Sequence, residues 1–94
     1  MNDVTEQLVG SLNEFLAFAR GRLRDPELAA DVVQESLLKA ILHRDHIRHE
    51  ESVKAWFYRI LRRTIVDLYR RRDTHQRAME RVELDLNNAL TAEE

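Results

Sequence analysis

Ser52-Val-Lys-Ala-Trp-Phe-Tyr-Arg-Ile-Leu-Arg-Arg-Thr-Ile-Val-Asp-Leu-Tyr-Arg-Arg-Arg72 is the stretch whose periodicity decides the fold. Val53, Trp56, Phe57, Ile60, Leu61, Thr64 and Leu68 recur at intervals of three and four, which is one face of an α-helix. Ser52 stands where a helix takes its N-cap, and a hydroxyl there accepts a hydrogen bond from an otherwise unpaired backbone N–H. The reading extends outward in both directions. The spacing predicts an earlier helix over Val4–Arg24, with Asp3 and Glu6 as a capping box and Leu8, Leu12, Phe15, Leu16, Ala19 and Leu23 on one side. Asp25-Pro26 opens a second helix, from Pro26 to about His43, because proline is tolerated in the first turn. Arg44–Glu51 is polar and aperiodic, a loop. After Arg72, Ala78, Met79, Val82, Leu86 and Leu90 suggest a weaker fourth helix. With 2 Gly, 1 Pro and no alternating run, the class is all-α: a compact three-helix bundle with a short C-terminal addition.

The total charge of −2 hides a partition along the chain. Residues 52–72 hold 7 basic groups and 1 acidic group, and both flanks are net acidic. Such a block suggests a local polyanion-binding surface. Opposite the apolar stripe of the third helix fall Tyr58, Arg59, Arg62, Arg63, Tyr69 and Arg70. Guanidinium groups pair with phosphate and tyrosines stack on unpaired bases, so this face reads as a single-strand nucleic-acid surface. The alternative is a solvated helix face. Asp67 is spaced to pair with Arg63 and Arg71.

The second helix has two apolar sides. Ala29, Val33, Leu37, Ala40 and Ile41 suit the core. Asp31, Gln34, Glu35, Leu38 and Leu42 lie together elsewhere, with Leu28 and Val32 at the edge. Leucines framed by polar groups form either a docking patch or a surface covered by a neighbouring helix.

Several classes are excluded. There is no Cys, so disulfides and thiolate sites are absent. No Ser/His/Asp set, glycine-rich phosphate loop or paired carboxylates support catalysis, and no cofactor is expected. His43, His46 and His49 read as polar loop residues, not as a metal site. No membrane span or signal pattern is visible, so a cytoplasmic location is expected.

Arg20 with Arg24-Asp-Pro-Glu27, then Ala30-Asp-Val-Val-Gln-Glu-Ser-Leu-Leu-Lys-Ala40, Lys54-Ala-Trp-Phe-Tyr-Arg-Ile-Leu-Arg62 and Val66-Asp-Leu-Tyr-Arg-Arg-Arg72 together resemble region 2 of bacterial sigma factors. The likeness is to the extracytoplasmic-function type and covers roughly Leu12 to Arg72. It implies a non-enzymatic domain that docks on the β′ clamp helices of RNA polymerase and binds and melts the minus-ten promoter element. Carried over, it assigns docking to Asp31, Gln34, Glu35, Leu38 and Leu42. Promoter contact falls to Lys54, Tyr58, Arg59, Arg62, Arg63, Tyr69 and Arg70. A base flipped from the non-template strand would be received by Ile47, Arg48, His49, Glu50, Glu51 and Ser52.

The chain departs from the family pattern at Arg63, where many relatives have Asn. It also departs in Arg48-His-Glu-Glu-Ser52, which lacks a common Gly, and at Ile41, usually aromatic. The resemblance further implies an anti-sigma factor as partner and a second, minus-thirty-five-binding domain. On that reading residues 1–72 are the sigma domain, residues 73–94 begin an acidic linker or C-terminal helix, and the chain is a domain cut from a longer protein. Two rivals remain: a protein-interaction module sequestered by an anti-sigma factor, and a polymerase-independent helical nucleic-acid-binding domain.

Overall fold

The computed structural model describes residues 4–48 and 52–92, and every regular element among them is helical. They are α1 (Val4–Gly10), α2 (Leu12–Arg22), α3 (Pro26–Leu42), a single 3₁₀ turn (Arg44–His46) and α4 (Val53–Ala92). The all-α bundle is as the sequence suggests, with two differences in how helices divide.

The first expected helix is two. Ser11 sits between α1 and α2 with ψ 13, and its N–H donates to the Leu8 carbonyl at 3.1 Å, a tightened turn. Gly10 and Ser11 form the kind of pair at which helices kink. The apolar period runs through the break, which is why periodicity alone does not reveal it. Asp3 of the expected capping box lies outside the described residues.

The second difference is α4. The helix expected to stop near Arg72 continues without interruption to Ala92, so the weaker fourth helix is its extension. The polar run Arg70–Arg77 resembles a boundary, but residues 53–92 contain neither Gly nor Pro to end a helix. At 1.5 Å per residue its 40 residues span about 60 Å. The molecule is accordingly elongated, 73 × 25 × 15 Å.

The remaining boundaries follow their sequence signals. The Asp25 carboxylate accepts from the Glu27 N–H at 3.0 Å, with Pro26 in the first turn of α3. Ser52 Oγ accepts from the Ala55 N–H at 3.4 Å and starts α4.

The core joins Leu8 of α1, Phe15 and Ala19 of α2, Leu23 just beyond it, Ala29, Val32, Val33 and Ala40 of α3, and Trp56, Phe57, Leu61 and Ile65 of α4. Val32, expected at the edge of the outer patch, is buried, because α3 lies between α2 and the first half of α4. Two hydroxyls enter this core without penalty. Ser36 Oγ donates to the Val32 carbonyl and Thr64 Oγ1 to the Ile60 carbonyl, each at 2.8 Å.

Candidate nucleic-acid and docking surfaces

The arginine face lies on the part of α4 that the bundle holds rigid. Phe57 packs on Phe15 with ring centroids 4.2 Å apart, which fixes the rotation of α4 about its axis. Arg59, Arg62, Arg63 and Arg70 are then exposed, with Val66 and Ala55 among them. Four arginines on one helix face make this a local positive surface.

The tyrosines differ from the sequence expectation. Tyr58 is half-buried and does not stand on the outer face. Its ring meets Phe15 at 5.2 Å and Phe18 at 5.1 Å, both edge-on. The Tyr69 hydroxyl donates to the Arg22 carbonyl at 2.6 Å, tying α4 to the end of α2, while about half of the residue stays exposed. Both tyrosines therefore mark the seam between α4 and α2. That seam recruits a cation the sequence reading overlooks. Arg22 lies 3.6 Å over the Phe18 ring, a cation–π contact beside Tyr58. Arg20, Arg22 and Arg24, alternating at the end of α2, were the available signal.

Lys54 is exposed at the start of α4, and its ammonium pairs with the Glu14 carboxylate at 2.8 Å. Glu14, through that hydrogen bond and its charge, holds Lys54 above the ordinary lysine range. The sign is that of a raised basic group. The attraction is complete at neutral pH and is lost only as pH rises through the raised value.

Asp67 makes no ion pair among the described residues. Arg71, expected as its partner, instead reaches Glu35 of α3 at 4.0 Å. Between α3 and α4 lies an open cleft of about 540 Å³, floored by Trp56, Ile60 and Thr64, with Lys39, His43 and Arg63 at its rim. Trp56 is only 7% exposed, so it serves the core and shows one edge to the cleft. The His43 and His46 rings lie 5.2 Å apart, and no metal-binding group occurs among the described residues.

Of the loop residues, Ile47 is half-buried against the core, Arg48 is exposed and Ser52 caps α4. His49, Glu50 and Glu51 lie outside the described residues.

The second surface is on α3. Asp31, Gln34, Leu38 and Leu42 are exposed and line up at helical spacing. Leu38 is 57% and Leu42 77% exposed, so neither α2 nor α4 covers them. Glu35 sits at the edge, 3.8 Å from Lys39 and within reach of Arg71. Apolar side chains this open, rimmed by polar ones, have the composition of an interface. Among the described residues no helix is long and apolar enough to cross a membrane.

Three comparisons bear on this arrangement. The sigma-70 region 2 family matches residues 8–75. RNA polymerase sigma factor SigV of Bacillus subtilis (strain 168) is 38% identical over 58 residues, 62% of this chain and 35% of that protein. RNA polymerase sigma factor SigZ of the same strain is 28% identical over 76 residues, 81% of this chain and 42% of that protein. A probable RNA polymerase sigma factor of Haemophilus influenzae (strain ATCC 51907 / DSM 11121 / KW20 / Rd) is also 28% identical over 76 residues, 39% of its length. The chain thus spans less than half the length of these relatives. No solved structure gives a significant match. With the match running from Leu8 in α1 to His75 in α4, through every packed element of the bundle, the chain belongs to the sigma-70 region 2 family.

Proposed function

We propose that this domain is the promoter-recognising and promoter-melting part of an extracytoplasmic-function-type sigma factor. It acts with RNA polymerase and has no chemistry of its own. The observation that carries the reading is the separation of two surfaces on one rigid bundle. On the α3 strip, Leu38 and Leu42 are uncovered apolar side chains beside the exposed polar Asp31 and Gln34, a mix suited to a protein. The α4 face of Arg59, Arg62, Arg63 and Arg70 is cationic, suited to a phosphate backbone. A domain built this way holds DNA in a fixed position relative to the polymerase it rides on.

Melting then needs no nucleotide hydrolysis. The polymerase-bound domain captures bases of the non-template strand as they unstack and shifts the equilibrium toward the open form. The cleft lined by Trp56 and Ile60, with Lys39, Arg63 and Asp67 at its rim, combines an apolar floor with charged groups and is a candidate site for an unstacked base. It adjoins the Ile47 end of the loop to which the family resemblance assigns base capture.

The test is binding of the domain, in complex with core polymerase, to a fluorescent non-template oligonucleotide. Arg59→Ala combined with Arg62→Ala is expected to weaken binding on the order of tenfold. Each lost phosphate contact should also flatten the salt dependence by about 0.7 in log–log slope. Unchanged affinity and slope would remove the arginine face from the DNA assignment.

Lys54 gives a finer prediction of opposite sign. It must leave Glu14 to meet a phosphate, so Glu14→Gln frees it in advance. Oligonucleotide binding at low salt is expected to tighten a few-fold, with the gain fading as salt screens it. Unchanged binding would mean that Lys54 lies off the DNA path.

A further inference from the structure

Arg22 ends α2 where that helix meets α4, and two contacts at the seam fix it. Its guanidinium lies 3.6 Å over the Phe18 ring, which in turn meets Tyr58 of α4 at 5.1 Å. Its carbonyl accepts a hydrogen bond from the Tyr69 hydroxyl at 2.6 Å. At 100° per residue Tyr58, Arg62 and Tyr69 fall within about 40° of one another, one row along α4. Because Arg22 reaches Phe18 beside Tyr58 at one end and Tyr69 at the other, it runs along this row, where Arg62 lies between the two tyrosines. The arginine face of α4 therefore continues across the seam onto α2.

Arg22 and Arg62 are both exposed, and neither has an ion-pair partner among the described residues. The nearby acids are engaged or turned away. Glu14, the one acid of α2, pairs with Lys54, and Asp73, one turn past Tyr69, pairs with Arg77. Asp25 and Glu27 sit at the N-terminal end of α3, where acids complement the helix dipole. Asp67 lines the cleft on the opposite side of α4. Two cations side by side repel, and an anion between them turns that cost into attraction. A guanidinium stacked on a ring offers its N–H donors from its edge, which fits the oxygens of a phosphate. Stacking also removes beforehand the freedom that a solvated arginine loses on binding.

We propose that Arg22 and Arg62 form a clamp across the α2–α4 seam that holds one backbone phosphate of the non-template strand. The clamp rests on the reading of α4 as a DNA surface and extends that surface onto α2. Phe18 is the positioning residue: it holds the Arg22 guanidinium in place and does not itself meet the strand.

The test uses the full chain, bound to core polymerase, and the fluorescent non-template oligonucleotide. Arg22→Ala is expected to weaken oligonucleotide binding about three- to tenfold. It should also flatten the log–log salt slope by about 0.7. Arg20, likewise exposed, lies about 160° from Arg22 round α2, so Arg20→Ala removes the same charge on the far side and should leave both quantities near the parent values. Combining Arg22→Ala with Arg62→Ala should cost less than the product of the two single losses, since either change alone already breaks the grip on a shared phosphate. Polymerase affinity and helix content by circular dichroism should not change. Unchanged affinity and slope for Arg22→Ala would overturn the clamp. So would an equal effect of Arg20→Ala, single losses that simply multiply, or a loss of polymerase affinity in place of oligonucleotide affinity, which would make the seam a protein contact. The clamp and the α4 surface fail separately. If Arg59→Ala with Arg62→Ala flattens the slope and Arg22→Ala does not, the clamp falls and the α4 surface stands. If neither flattens it, the DNA surface itself falls.

Discussion

Phe57→Ala is expected to leave the domain largely unfolded at room temperature. Phe57 is fully buried, and its ring sits 4.2 Å from Phe15, the other fully buried aromatic of the core. Removing a buried phenyl ring costs about 3–5 kcal/mol, the lost transfer energy plus the cavity left behind. A bundle of this size has only about 3–7 kcal/mol of total stability to lose. The consequences spread beyond the cavity, because the same ring cluster sets the rotation of α4. Phe15 also meets Tyr58, and Tyr58 meets Phe18 under Arg22. A urea titration followed by far-ultraviolet circular dichroism checks the result. Phe18→Ala, at a half-buried position, should cost clearly less. A Phe57→Ala protein that loses under about 1 kcal/mol would mean the core is not assembled around this pair.

Those same rings explain which parts of the site can be read from sequence. A helical wheel of α4 has one centre, between Val53 and Phe57, and places Tyr58 and Tyr69 opposite it. In the bundle α4 is gripped by α2 as well as α3, so its covered sector is wider than a single stripe. Tyr58 then turns in among Phe15 and Phe18, and Tyr69 reaches the Arg22 carbonyl. Arg59, Arg62, Arg63 and Arg70 lie further round and stay outside, as the wheel has them.

α3 was legible at its start because Asp25 and Pro26 are local signals with local consequences. The break at Ser11 was not, since Leu8, Leu12 and Phe15 keep their period across it. The extension of α4 was hidden for a different reason. Its polar run suggests an end, whereas a helix ends only when something stops it, and nothing between Val53 and Ala92 does. Whether Leu38 and Leu42 are covered was a question of tertiary position, which periodicity does not address.

Their exposure makes Leu38→Asp the sharpest test of the proposed docking surface. Leu38 sits in the middle of the strip, 57% exposed, with Gln34 one turn before it and Leu42 one turn after. Docking on a protein buries that remaining apolar area, which for about half a leucine contributes on the order of 1 kcal/mol. Aspartate forfeits this and adds a carboxylate that must lose its water at the centre of the contact, a further cost of about 1–3 kcal/mol. Together these weaken binding to core polymerase on the order of 30- to 1,000-fold. Most of the effect should fall on dissociation, since a change in short-range packing hardly alters encounter. The free domain should be unaffected, because position 38 faces solvent there and an aspartate in the middle of a helix costs only a few tenths of a kcal/mol. Fluorescence anisotropy of labelled domain against core polymerase measures the first quantity, and a urea melt of the same sample the second. The pattern also separates the two surfaces. Leu38→Asp should weaken oligonucleotide binding that depends on polymerase while leaving its salt slope unchanged. Arg59→Ala with Arg62→Ala should instead lower the slope and leave polymerase affinity intact. If Leu38→Asp binds polymerase within about twofold of the parent, well under the 1.4 kcal/mol of a tenfold change, the α3 strip is not the docking surface.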